Sequence, residues 1–490
     1  MVEDATKTKR GGRDYQDLRE WLALVAEIGM LRAVRGADWN LEIGTLAELN
    51  AKRERAPSLL FDEIKDYPPG YRVTTGALLN AATLGLALRL PTEYSDRELV
   101  EALREKIPEW EAKAEEYPPQ FVERGTVTEN MDVGKAVDLL KFPAPFWHEL
   151  DGGRYIGTGC AVITRDPDTG LVNLGTYRIM LHDKTCVGFY ASPGKHGNIH
   201  RAKYHARGEP CPVAISLGHD PLLLAVGAVE IPLGVCEYNY AGAIRGKPMR
   251  VIKSDVTGLP IPADAEVVIE GWCPPSEERL EGPFGEWTGY YAGGREPAPI
   301  INVAAVRYRD SPIILGCPPN RPPNDHSYLT CVFRSALLHE ALVKAGVPDV
   351  RGVWRCEAGG SRLWVVVSIK QRYAGHARQA GFVAAQCQQG AYLGRYIIVV
   401  DEDIDPFNMN DVIWALSTRS DPEKDIDFVR RAWSSRLDPM IPKPAAGYFN
   451  SRAVIDACRP FEWMRDFPKV SEASPEVAQR VREKWREVLS

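Results

Sequence analysis

Between about residues 121 and 320 the chain breaks into short β-forming runs set apart by turns, and few folds accommodate that pattern over so long a stretch. Tyr155 to Thr164, Leu171 to Leu181, Val267 to Gly271 and Ile300 to Arg307 are rich in β-branched or aromatic residues, and the turn Asp166-Pro-Asp-Thr-Gly170 separates the first two. Short strands of this kind predict a barrel or a sandwich. The flanks carry mixed patterns instead. On the N-terminal side, Asp14 is placed to cap a helix whose Leu18, Trp21, Leu22 and Val25 recur at helical spacing, with Gly29 suited to its end. A second helix is predicted near Leu41 to Lys52, then strands at Leu59 to Phe61 and Tyr71 to Thr75, and Ser95 with Glu98 forms a capping box that opens another helix.

Pro318-Pro-Asn-Arg-Pro-Pro323 reads as a linker. After it, a helical run from about His326 to Ala345 alternates with strands at Leu363 to Ile369 and Tyr396 to Val400, an α/β pattern. Ser474-Pro475 opens a final helix with Val477, Val481 and Trp485 on one stripe. The prediction is a mixed α/β, multidomain chain. Its divisions fall at 1–120 for an N-terminal α/β domain, 121–320 for the β-rich domain, 321–450 for a C-terminal α/β domain with an oligomerisation role, and 451–490 for a tail and helix.

A chain of 490 residues can bury two or three cores without disulfide staples. Its ten cysteines include no Cys-x-x-Cys pair and are scattered through apolar runs, which favours free thiols in a reducing, cytoplasmic setting. The polar start Met1 to Gly12 is followed by no secretory apolar run, and no stretch of about 18 apolar residues occurs, so neither export nor a membrane span is predicted. A net charge of -6 without basic blocks gives no support for nucleic-acid binding.

Chemistry concentrates in four segments. Leu280-Glu-Gly-Pro-Phe-Gly-Glu-Trp287 holds Glu281 and Glu286 in a turn whose glycines and Pro283 fix where carboxylates point, although read alone it is equally a polar surface turn. In Asn173-Leu-Gly-Thr-Tyr-Arg178, Asn173 and Arg178 would face opposite sides of an extended strand, so they converge only if the strand bends, and Gly175 is the place for the bend. Ser192-Pro-Gly-Lys-His196-Gly197 and Ile231-Pro-Leu-Gly-Val-Cys-Glu237 add an imidazole and a carboxylate. With Asn173 these make an amide, an imidazole and a carboxylate, a ligand set for Mn²⁺ or Mg²⁺.

These four segments, in this order, resemble the UbiD family of decarboxylases, which use prenylated flavin mononucleotide (prenylated FMN). The resemblance extends to Asp17-Leu-Arg-Glu-Trp, Ser58-Leu-Leu-Phe-Asp-Glu-Ile, Val399-Val-Asp-Glu-Asp-Ile-Asp-Pro and Asp411-Val-Ile-Trp-Ala-Leu-Ser-Thr-Arg419, and so covers nearly the whole chain. It implies that the central region is a split β-barrel that binds the flavin, and that the later domain supplies much of a homodimer or higher homo-oligomer interface. It also implies a coupled Arg178, Glu281 and Glu286 network, with Glu286 as proton donor. Asn173, His196 and Glu237 would hold Mn²⁺ (or Mg²⁺) against the flavin phosphate, with K⁺ on backbone carbonyls near Ala228 to Glu230.

By the same resemblance, Thr158, Lys195 and the run Leu174, Gly175, Thr176 and Tyr177 lie near the cofactor, although Thr158 is also credible as strand filler and Lys195 as a surface charge. Several relatives place a phosphate-contacting lysine where this chain reads Gln388-Gln-Gly-Ala-Tyr-Leu-Gly-Arg395, which makes Arg395 the candidate replacement. A flavin prenyltransferase would supply the cofactor.

The implied reaction is reversible, non-oxidative decarboxylation of an aromatic, heteroaromatic or α,β-unsaturated acid through a covalent adduct with the cofactor. Loss of CO₂ from an sp² carbon leaves an in-plane electron pair that side chains alone cannot accept, so a cofactor must take it. Trp287 favours a ring in the substrate. Asn324, Asp325 and His326 are candidates for recognising a ring hydroxyl or nitrogen, with a helix cap as the competing role for the first two. Two other readings stay open, a flavin reductase or carrier on a split barrel, and an assembly subunit of a larger carboxylase. Paired acids argue against the former, because hydride transfer needs none.

Overall fold

The computed structural model describes residues 13–232, 234–442 and 447–489. The polar start through Gly12, and Leu233 within the Ile231 to Glu237 segment, lie outside the described residues.

The first predicted helix runs Leu18–Glu27 and buries Leu18, Trp21, Leu22 and Val25, as its spacing requires. Its cap is Asp17, whose carboxylate accepts the Glu20 N–H, and not Asp14. The expectation placed the cap three residues early because both aspartates precede the apolar stripe; Asp14 instead pairs with Lys247 at 2.5 Å. The second helix spans Glu42–Ala51. Helix Asp96–Lys113 opens with the Ser95 and Glu98 capping box. A four-stranded sheet in the order Leu31–Arg35, Ser58–Asp62, Arg72–Thr75 and Ile313–Gly316 completes this part. Its last strand comes from far down the chain, paired in parallel with Arg72–Thr75, so the first and central regions are stitched together.

The central region is a curled ten-stranded half-barrel. Its path runs Tyr155–Gly157, Ile179–Asp183, Cys186–Gly188, Glu296–Tyr308, Val267–Cys273, Cys211–Leu217, Ala161–Arg165 and Val172–Gly175, and among the described residues the two end strands do not pair with each other. The 13-residue strand Glu296–Tyr308 also pairs with Asn130–Val133 and Glu278–Glu281, and that last strand delivers Glu281.

Pro318 to Pro323 does not behave as a free linker: Asn320 is buried and Pro319 presses its carbonyl against Gly285 in the acidic turn. Immediately after it, Asn324 caps the 20-residue helix Asp325–Lys344. Leu329, Val332 and Phe333 of this helix share one core with the first helices and with barrel residues such as Ala161 and Leu174. A five-stranded sheet follows, in the order Val350–Arg355, Trp364–Ile369, Tyr396–Asp401, Phe449–Ala457 and Ile426–Trp433.

Alternate residues of its central strands face opposite layers. Val365, Val367, Ile397 and Val399 pack with helix His376–Gln386, and Val366, Ile398 and Val400 with helix Met409–Arg419. Continuous apolar runs such as Val365 to Val367 are what two covered faces demand. Strand Phe449–Ala457 crosses the division drawn at residue 450. The final helix Pro475–Lys484 is capped by Ser474, and its Val477 and Val481, with Trp485 just beyond, are exposed in the single chain.

Candidate active site

Strand Val172–Gly175 ends at the glycine singled out for a bend. A Cβ there would stand 2.3 Å from the Tyr177 ring, so only glycine lets the chain fold back over its own tyrosine. The Tyr177 hydroxyl accepts the Gly197 N–H at 3.0 Å and the Asn173 amide at 3.3 Å. That fixes the start of helix His196–Ala206 against the strand, and His196 Nδ1 meets Asn173 Oδ1 at 3.0 Å. Glu237 begins helix Glu237–Arg245, and its carboxylate accepts the Leu174 N–H at 2.8 Å. Burial pushes the Glu237 carboxyl up to about 7, only partly opposed by that amide.

Arg178 lies just past the strand break, bridged to Tyr190 across the sheet, with its guanidinium 4.1 Å over the Tyr190 ring. It grips Glu281 through a fork, Nε to Oε1 at 2.8 Å and Nη2 to Oε2 at 2.7 Å, and reaches Glu286 Oε1 with Nη1 at 3.1 Å. Tyr155 donates its hydroxyl to Glu281 Oε1 at 2.9 Å. Glu281 is thus saturated with donors. Glu286 is different, since its second oxygen takes no hydrogen bond from any described residue. Burial raises its carboxyl above the usual range, Arg178 pulls against this, and Glu281 adds to it. The turn between the acids is held by Gly282 at φ +80°, a conformation that favours glycine.

Both groups open on one cavity of about 430 Å³. Asn173, Leu174, Gly175, Thr176, Tyr177 and Arg178 line one side of it, Lys195, His196 and Glu237 another, and Glu286 and Trp287 a third. Thr158 also reaches it, with its hydroxyl accepting the Cys317 N–H at 2.9 Å. Arg395 does not line it. Asp438 holds that guanidinium at 2.6 and 2.7 Å, so the assignment of Arg395 to the cavity is corrected: the ion pair draws it toward the 434–440 loop.

The cavity's guanidinium from the later domain is Arg362, which sequence reasoning missed. Its Nε has no partner among the described residues, and burial, with Arg334 nearby, lowers it to about 9. It stands 5.1 Å over the Trp287 ring. Burial lowers Lys195 too, with Arg362 and Arg334 adding to the effect and Glu230 opposing it. The Gly359-Gly-Ser-Arg362 turn before a strand was the available signal, because such turns aim side chains.

Asn324 spends its side chain on the helix cap and on the Asn320 carbonyl, and Asp325 accepts the Leu78 N–H. His326 faces the cavity, and burial lowers it to about 3, so its imidazole is neutral.

Lys195 and Arg362, with Glu230 as a partial counter-charge, face a cavity onto which the starts of helices His196–Ala206 and Asp325–Lys344 open, an arrangement that suits a phosphate. The buried Glu237 carboxyl beside His196 and Asn173 suits a divalent cation with oxygen and nitrogen ligands. Among the described residues no three His, Cys, Asp or Glu side chains cluster as a metal site, and the candidate set has two of those types plus an amide.

Comparison with known proteins decides the family. Models of 3-octaprenyl-4-hydroxybenzoate carboxy-lyase match in three parts, the N-terminal domain at residues 22–103, the Rift-related domain at 120–322 and the C-terminal domain at 327–457. The chain belongs to the UbiD family. It is a carboxy-lyase of that family, related to pyrrole-2-carboxylic acid decarboxylase of Pseudomonas aeruginosa at 36% identity, over 79% of each chain. A phenolic acid decarboxylase of a Streptomyces species is 35% identical over 91% of this UbiD chain and 92% of its own. Among solved structures, vanillic acid decarboxylase of Sedimentibacter hydroxybenzoicus in its open form superposes with a TM-score of 0.84 at 29% identity, covering 97% of this chain and 100% of that one. The UbiD-class enzyme HmfF of Pelotomaculum thermopropionicum, in complex with FMN, gives 0.82 at 30% identity, covering 94% and 98%.

Proposed function

We propose that this UbiD-family enzyme is a reversible, non-oxidative decarboxylase of an aromatic, heteroaromatic or α,β-unsaturated acid, working with prenylated FMN. The observation that carries the reading is the unequal pair of acids on Arg178. Glu281 is locked by Arg178 and Tyr155, whereas Glu286 keeps one oxygen free and its carboxyl is raised by burial, the direction that favours a proton donor. The names of the relatives, acting on pyrrole-2-carboxylic, phenolic and vanillic acids, support the substrate class. An HmfF structure in complex with prFMN supports the cofactor.

When bound, prenylated FMN supplies a covalent electron sink that no side chain provides. Lys195, Arg362 and the helix start at His196 would hold its phosphate, and Asn173, His196 and Glu237 would hold Mn²⁺ or Mg²⁺ beside it, with K⁺ on carbonyls near Ala228 to Glu230. Arg178 orients the substrate carboxylate and keeps Glu286 aimed at the carbon that loses CO₂. Glu286 then gives that carbon its proton. His326, neutral and facing the cavity, is suited to a ring hydroxyl or ring N–H.

A homodimer or higher homo-oligomer is the expected assembly, since Phe428 and Trp433 on the sheet's edge strand, Phe449 on the strand beside it and the stripe Val477, Val481 and Trp485 are exposed in one chain. A flavin prenyltransferase would supply the cofactor, and the setting is cytoplasmic. Among the described residues no helix is long and apolar enough to cross a membrane.

Glu286→Gln tests the reading. It should retain the flavin and lose about two orders of magnitude in turnover, the scale of a positioned general acid. Decarboxylation at the original rate would remove Glu286 from the chemistry.

A further inference from the structure

Glu286 borders two cavities. Besides the large one, a small cavity of about 30 Å³ touches Arg178, Glu281 and Glu286 and is walled on its far side by Glu296, Ala298 and Arg436. Charged side chains line it beside Pro297 and Ala298, and it has room for about two water molecules. Glu296 and Arg436 stand 3.7 Å apart, and both side chains are partly open to solvent. The wall is anchored: Asp438, two residues from Arg436, accepts from Arg395 Nη2 on both oxygens at 2.6 and 2.7 Å and from the Ser434 hydroxyl at 3.0 Å. Arg395, displaced from the cofactor cavity, therefore has a position in the structure that bears on the acid site.

We infer that this small cavity is the route by which Glu286 regains its proton, through water held between the carboxyl and the Arg436 and Glu296 pair. The inference rests on the reading of Glu286 as proton donor. In each turnover the O–H bond of Glu286 breaks as the C–H bond of product forms, leaving a carboxylate. A substrate seated in the large cavity covers Glu286 from that side. Water on the other side remakes the O–H bond with a proton drawn from bulk solvent past Arg436 and Glu296. The charged groups that face Glu286 are Arg178, Glu281, Arg436 and Arg362, so the carboxylate left after turnover is stabilised by three cations until the proton arrives. Glu296 and Arg436 are positioning residues on this route and touch no reacting atom.

An isotope-jump experiment on the cofactor-loaded enzyme tests the route. Enzyme and substrate acid are mixed in H₂O, diluted rapidly into excess D₂O and quenched after one turnover, and deuterium is read at the carbon that carried the carboxylate. The wild-type enzyme should place deuterium there in the first turnover. Ala298→Leu, which fills the cavity, and the double variant Glu296→Gln/Arg436→Gln, which alters only partly exposed groups, should both give first-turnover product that keeps hydrogen, with KM unchanged. Deuterium entering both variants as in the wild type would overturn the route, as would a raised KM with unchanged deuterium, which would make Arg436 a substrate contact. Glu286→Gln separates the two claims. Normal turnover in that variant overturns the donor reading and the route together, whereas an inactive Glu286→Gln alongside unchanged deuterium in the other variants overturns the route alone.

Discussion

Replacing Glu237 by glutamine should make the cofactor-free protein more stable while emptying its site. Glu237 is buried, and its carboxyl stands at about 7 in place of the ordinary 4.5, so the folded protein prefers it protonated. The sign follows from linkage: a carboxyl raised on folding leaves stability intact below about pH 4.5, and stability falls as pH rises through the folded value. At about 1.4 kcal/mol for each pH unit of separation, the loss is about 3 kcal/mol once pH exceeds 7.

Glu237→Gln keeps the shape and an oxygen for the Leu174 N–H while removing the charge, so it should recover most of that loss. Thermal unfolding of wild type and variant, stripped of flavin and divalent metal, from about pH 5 to about pH 8 measures it. The variant should melt higher, by a margin that grows toward pH 7 and then levels, and it should retain neither Mn²⁺ nor flavin. A variant that melts lower than wild type at pH 8, or a margin with no dependence on pH, would refute the reasoning.

Other outcomes follow from the same geometry. His196→Ala should lower bound Mn²⁺ and retained flavin together, measured by metal analysis and absorbance after gel filtration; full flavin without a divalent ion would remove the metal bridge. Arg362→Gln should weaken flavin retention in the same assay, because a guanidinium with an unpaired Nε is lost from the cavity. Arg395→Gln should leave retention unchanged, since Asp438 already holds that side chain; the reverse order of effects would restore Arg395 as the phosphate contact.

Elements set by local pattern were legible in the sequence. Leu18, Trp21, Leu22 and Val25 announce a helix by spacing, and Ser95 with Glu98 announces a helix start by side-chain chemistry. The convergence of Arg178 with Glu281 and Glu286 was legible only through motif resemblance, because residues 103 and 108 positions apart meet by strand pairing that no local signal encodes. Arg395 was misjudged for a related reason. Where a side chain points after a glycine-rich turn depends on the partner it meets, here Asp438 on a neighbouring loop. Arg362 had only a glycine turn to announce it and the small cavity behind Glu286 had no pattern at all, since both arise where later segments close over the barrel. Ile313–Gly316 made the same point at the level of domains, joining the N-terminal sheet from across the barrel.

The central claim is that this chain removes CO₂ with prenylated FMN and not as an ordinary flavoprotein. The chain should be purified with and without a co-expressed flavin prenyltransferase, its cofactor identified by mass and absorbance, and each preparation assayed in D₂O with pyrrole-2-carboxylic and phenolic acids. The account predicts CO₂ release and deuterium at the former carboxylate carbon only in the co-expressed preparation. Equal decarboxylation by both preparations, or oxidation of a nicotinamide with no exchange at that carbon, would contradict it.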